Sequence, residues 1–311
     1  MPSALAPAIQ CWSRAATTAW LGIVGARPGQ SIPDLGVCRS ATVLVRATGI
    51  VIAGALSAGV WMGLYFVLKR AMPPTVGRRL HNDDGSRLAS PPTTNRAAAN
   101  SGEGAARMVA VVHALSVCVL AAYSNLVAGP WAYSSVGERN TPTQTATLQL
   151  SLGYFLFDIG WSVSAGGETL LLCCHHAASL GAILSGLCLD ASGSELVGSL
   201  FGAEISNPAL QLRWFLLEAG HKGSALLLYV DLVFAVTFLV CRVVWAPTLL
   251  FVVLASPKPH WCIKVGGSSL QLISWAWSLV VVGKLSKAMR SLAAMRGSGT
   301  RTDQRPDKKH S

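Results

Sequence analysis

Between Gly49 and Leu68 the chain reads GIVIAGALSAGVWMGLYFVL, an unbroken run without a charged residue. A helix rising 1.5 Å per residue needs about 20 such residues to cross the hydrocarbon core of a bilayer. Lipid offers the backbone no hydrogen-bond partner, so a run of this kind is confined to a transmembrane helix. Similar runs recur at about Met108 to Ala128, Leu148 to Ser164, Thr169 to Leu189, Leu196 to Leu217, Ser224 to Ala255 and Ser268 to Leu285. The expected fold is all-α, a polytopic membrane helix bundle of about seven spans. Pro208 and Pro247 fall inside two of these runs and should kink them by removing backbone donors.

Charge orders the rest of the chain. Only 13% of residues are charged, about half the share in ordinary soluble proteins. The 25 Lys and Arg outnumber 14 Asp and Glu, but they gather between apolar runs and in the tail from Lys284 to Lys309. That placement suits loops beside an anionic leaflet and excludes the continuous basic face of a nucleic-acid binder. Residues 69–106, rich in Pro, Asn, Ser, Asp and Arg, read as a flexible basic cytoplasmic linker. Residues 288–311 read as a basic disordered cytoplasmic tail. The six spans between them, within residues 107–287, let both face the same side, with the acidic turn Asp190 to Glu195 opposite. Four arginines before Thr48 conflict with a far-side N-terminus. Residues 1–48 have the Ala, Ser and Arg bias of a transit peptide, but read equally as a disordered lead-in. Eight scattered cysteines show no disulfide framework; Cys188 and Cys262 could share the far side, but free buried thiols are the expectation.

Several ionisable residues lie inside the apolar runs. Counting from the linker side, His113, Asp158, His175, His176 and Asp231 each sit about five to seven residues deep, roughly 8 to 11 Å below one membrane face. An ionisable group in hydrocarbon is costly unless it meets a partner or a wet cavity. One shared polar pocket explains five groups at one level better than five separate accidents. His113 taken alone reads as interhelical glue. Neighbouring helical residues point about 100° apart, so one of His175 and His176 can face a cavity while the other braces a flanking helix. Cys173 and His176 share a helical face, but no set of metal ligands follows from them, and no metal is expected. Glu204 sits deeper, one turn before Pro208. Arg213 and Arg242 read as lying near span ends, where long side chains reach water.

The order of these pieces resembles the TLC-domain family, which includes the ceramide synthases. The matching stretches are VVHALSVCVLAAY with His113, GYFLFDIGW with Asp158 and Trp161, HHAASLGAILSG with His175 and His176, GAEISNPALQLRWFLLEAG with Glu204 and Arg213, and VDLVFAVTFLVCRVVWAP with Asp231. The likeness is nearest to generic TLC-domain proteins, whose pattern includes an E-x-S-x-P-x-x-x-x-R-W run. It implies a six-helix core around a lipid-accessible cavity, in the endoplasmic reticulum or another endomembrane, or a plastid or mitochondrial membrane if the N-terminus is a transit peptide. In ceramide synthases the paired histidines and neighbouring acids serve N-acylation of a sphingoid base by acyl-CoA. The resemblance thus implies catalytic roles for His175, His176 and Asp158, and substrate contacts from His113, Asp231, Glu204, Trp161 and Arg213. No bound cofactor is implied; acyl-CoA would be a co-substrate. The aspartate pair that ceramide synthases carry after the histidines is missing here, where the chain reads ELVGSLFGAEISNP.

Two functions remain in view: a histidine-dependent lipid acyltransferase, and a non-enzymatic lipid-binding regulator of membrane composition. A transporter is disfavoured because the two halves show no inverted repeat. The partners expected are membrane lipids, acyl-CoA and a sphingoid base, with no nucleic acid; a homodimer is compatible with all of this.

Overall fold

The structure is a computed structural model that describes residues 35–72, 95–165 and 170–299, with side chains described for 43–72, 102–165 and 170–286. The N-terminal segment to residue 34, residues 73–94 of the linker and the tail from residue 300 lie outside the described residues. Most of the described residues are helical: α1 (Leu35–Ala71), α2 (Asn95–Ala122), α3 (Pro142–Ala165), α4 (Leu170–Leu189), α5 (Gly193–Glu204), α6 (Asn207–Glu218), α7 (Ala225–Leu239), α8 (Ala246–Ala255) and α9 (Trp261–Gly299). Among the described residues, five stretches are long and apolar enough to cross a membrane: Val43–Ala71, Gly102–Val127, Leu170–Leu189, Ala225–Ala255 and Trp261–Ser286.

The two other expected passes, α3 and α5 with α6, are not among these five. α3 packs against α1, α2, α4 and α5, so Gln144, Thr147 and Ser151 in its first half are buried in protein and never meet lipid. α5 and α6, of 12 residues each, together make one broken pass. Val51, Leu56, Val119, Phe251 and Leu279 are exposed on the outside, as expected of a surface solvated by acyl chains.

Both prolines act more strongly than a kink. Pro208 cannot donate to the Glu204 carbonyl, and the helix stops at Glu204 and restarts at Asn207. Before Pro247, α7 widens into a π turn over Val240–Trp245, and the Ala246 N–H donates to the Cys241 carbonyl. In that widened ladder the Arg242 carbonyl faces Pro247 and finds no backbone donor. Gln271 Nε2, from α9, donates to it at 2.9 Å. Gln271 is buried, so Gln271→Leu should cost about 1–3 kcal/mol by orphaning that carbonyl. An unaltered thermal midpoint in detergent would show that another donor takes over.

Polar contacts tie the two ends. At the far end Arg46 and Arg139 both reach Asp190 Oδ2, at 3.3 and 2.9 Å, so Arg46, one of the conflicting arginines, is neutralised by an acid at its own end. Lys258 pairs with Glu138 beside them. Buried Glu195 accepts from the Gly137 N–H at 2.8 Å and from Ser194 Oγ at 2.9 Å. At the linker end α2 begins well before the expected span: its backbone is already helical at Asn95, and Gly104 lies beside Met72 and Trp214. α9 likewise continues to Gly299, past the start of the expected tail. The described cysteines Cys118, Cys173, Cys174, Cys188, Cys241 and Cys262 are free thiols, so Cys188 and Cys262 are not bridged.

α1 is bound closely to α3. Ser57 Oγ and Trp61 Nε1 both donate to the Leu150 carbonyl at 3.1 Å. Gly153 permits the approach, because a Cβ there would fall 2.2 Å from Ser57 Oγ.

Candidate functional site

A cavity of about 920 Å³ opens among α2, α3, α4, α5, α6, α7 and α9, its walls more apolar than polar. That is within the size range of small-molecule sites. Asp158, Trp161, His175, His176, Glu204, Arg213 and Asp231 all line it. Residues from five stretches of sequence therefore face one space.

His176 and Asp158 meet across the α4–α3 contact, with Nε2 to Oδ2 at 3.4 Å. His176 is buried, its ring edge-on to Phe155 at 6.0 Å between centroids. His175 turns the other way: its ring lies 5.0 Å from Trp277 of α9, and its Nδ1 is buried without a hydrogen-bond partner. Both histidines line the cavity. The 100° between neighbouring helical positions thus spreads them around one wall.

His113 does not line the cavity. It is fully buried, stacked on Tyr154 at 3.7 Å and edge-on to Trp61 at 5.6 Å. Its Nδ1 lies 3.8 Å from Glu204 Oε2, and its Nε2 lies 3.4 Å from Ser151 Oγ. It therefore stands behind two wall residues, Tyr154 and Glu204, instead of facing the space itself.

Glu204 begins a ladder of polar contacts along the wall. Its Oε2 accepts from Asn207 Nδ2 at 3.0 Å, and Asn207 Oδ1 accepts from Gln211 Nε2 at 2.8 Å. Gln211 Oε1 accepts from Arg107 Nη1 at 3.0 Å, and Arg107 also binds Glu103 at 2.8 Å. The Arg107 guanidinium lies over the Trp214 ring at 4.7 Å. Asp231, half-exposed, accepts from Arg213 Nε at 2.6 Å. Arg107, Asn207 and Gln211 were missed at the sequence level; the i, i+4 spacings of Glu103 with Arg107 and Asn207 with Gln211 were the available signal.

Arg242 corrects the sequence reading outright. It lies some 17 residues into a 31-residue span, Ala225–Ala255, and is buried, not near a span end. The π turn carries it to the cavity wall. Among the described residues no three His, Cys, Asp or Glu side chains converge on a common ion, and Cys173 and Cys174 are exposed.

The family model for the TLC domain matches residues 103–283, more than half of the 311-residue chain. The chain belongs to the TLC-domain family. The match runs from Glu103, at the last rung of the polar ladder, into α9, and leaves α1 outside. No solved structure matches the chain. With its membrane-spanning helices, this is an integral membrane TLC-domain protein.

Proposed function

We propose that this TLC-domain protein acts in lipid metabolism as an acyltransferase, moving an acyl group from acyl-CoA to the amine or hydroxyl of a single-chain, sphingoid-type lipid held in the cavity. The observation that carries the reading is the His176–Asp158 pair at 3.4 Å on the wall of a mostly apolar cavity. A carboxylate beside an imidazole orients the ring and stabilises its protonated form, the arrangement a general base requires. His176 accepts the proton as the acceptor nitrogen or oxygen attacks the thioester carbonyl. The CoA thiolate leaves and recovers that proton, so the products are the acylated lipid and free CoA. His175, on the same wall, faces the reacting groups from the α9 side.

Arg107, Arg213 and Lys284 line the linker end of the cavity, where they suit the phosphates of a donor arriving from the cytoplasm. A membrane of the endoplasmic reticulum or a related compartment fits this role.

The second reading, a lipid-binding regulator without turnover, is favoured by the internal pairing of the wall. Arg213–Asp231 and Arg107–Glu103 are already satisfied and hold a static lining.

Intact-protein and lipid mass spectrometry separates the two. Purified protein given palmitoyl-CoA with sphingoid and lysolipid acceptors is expected to yield an acylated lipid that disappears in His176→Ala and falls in His175→Ala. A bound lipid that never turns over in the wild type would remove the acyltransferase reading and leave the regulator.

A further inference from the structure

Arg242 is a buried cation on the cavity wall, and the groups it hydrogen-bonds are neutral. Nη1 donates to Ser274 Oγ at 3.1 Å and Nη2 to the Ala203 carbonyl at 3.3 Å. Its Nε is buried with no hydrogen-bond partner, and the guanidinium lies 5.6 Å from the Phe238 ring centroid. No carboxylate among the described residues comes within ion-pairing distance of it. Glu204 lines the same wall and is near enough to act on Arg242 through space, but its Oε2 bonds Asn207 and faces His113, so it makes no direct ion pair with the guanidinium. An arginine stays protonated even when buried, and a guanidinium in the bilayer interior without a counterion is strongly unfavourable.

The position is also a junction. Arg242, His175 and Glu204 line both the large cavity and a narrower space of about 100 Å³ that leads on past Leu249, Val253 and Ile263 toward the far end. A ligand seated in the large cavity therefore meets this cation where the space narrows.

We infer that Arg242 is the receptor for an oxyanion-bearing lipid headgroup, carboxylate or phosphate, which enters the cavity and makes the direct ion pair that no described carboxylate makes. The guanidinium presents a fork of donors, matching the two oxygens of either group. The inference rests on the lipid-binding half of the proposed function and not on catalysis.

Binding to the full chain in a neutral detergent tests it, using three probes with one sixteen-carbon chain: palmitate, hexadecyl phosphate and hexadecanol. Wild-type protein should bind at least one anionic probe about tenfold or more tighter than hexadecanol, the scale of one charged hydrogen-bonded contact. Whichever anion is preferred identifies the headgroup. In Arg242→Gln that preference should shrink to within about twofold, and in Arg242→Lys it should persist in part. Ligand-free Arg242→Gln should unfold at the same temperature as wild type or above it, because it removes a buried charge that has no direct ion pair; a purely structural arginine would give a fall. Equal binding of hexadecanol and both anions by wild type, or an undiminished preference in Arg242→Gln, overturns the inference and leaves the lipid site standing. Failure of all three probes to bind overturns both.

Discussion

Asp158→Asn should slow acyl transfer by about 10²–10⁴-fold while the protein still folds, because the substitution keeps the side-chain shape and removes the charge that supports a protonated His176. His176→Ala should fall in the same range. The two act as one unit at 3.4 Å, so the double variant should be no slower than the slower single one. Initial rates of lipid acylation on the four proteins give the comparison; losses that multiply would mean that the residues act independently. Asp231→Asn is the contrast. Its partner Arg213 is 37% exposed and Asp231 itself 40%, so this pair should be worth about 1 kcal/mol or less, roughly fivefold at most.

Gly153→Val should be the most damaging change to the fold. A Cβ at Gly153 would lie 2.2 Å from Ser57 Oγ, 2.3 Å from Ser57 Cβ and 2.6 Å from the Ala58 backbone nitrogen. Because backbone cannot rotate away, α1 must move bodily off α3, and the loss should reach or exceed the upper part of the usual 1–3 kcal/mol for overpacking. Gly54→Ala gives the control. Its added Cβ meets only the flexible end of Leu152 at 3.0 Å, so a small shift suffices. Thermal unfolding followed by size-exclusion chromatography should show Gly153→Val aggregating at markedly lower temperature and Gly54→Ala near wild type. Equal midpoints would mean that α1 is not held at this contact.

The passes were legible in the sequence because hydrocarbon imposes a length and a polarity that a one-dimensional scan can read. Counting along the helices also grouped Asp158, His175, His176 and Asp231, which line one cavity. Rotation about the helix axis was not legible. His113 was counted to a similar depth as Asp158, yet it packs against Trp61 and Tyr154 and does not line the cavity. Arg242 was misplaced for another reason: the span was read correctly as running to Ala255, but a charge inside it was expected to reach water near an end, whereas the π turn before Pro247 holds it at the cavity wall. The start of α2 was hidden because Asn, Ser and Gly in that stretch mimic a linker. Its alanines favour helix, and contacts around Gly104 with Met72 and Trp214 hold the turn that follows.

The hydrogen bond from Trp61 to the Leu150 carbonyl joins residues 89 apart in the chain. At translation rates of about 5–20 residues per second, α1 enters the membrane several seconds before its acceptor has been made. During that interval its indole N–H and the Ser57 hydroxyl must be accommodated by lipid, water or an insertion factor. The contact that ties α1 to the TLC-matched helices can therefore form only once α3 has been made, so α1 joins the bundle after synthesis of its own span is complete.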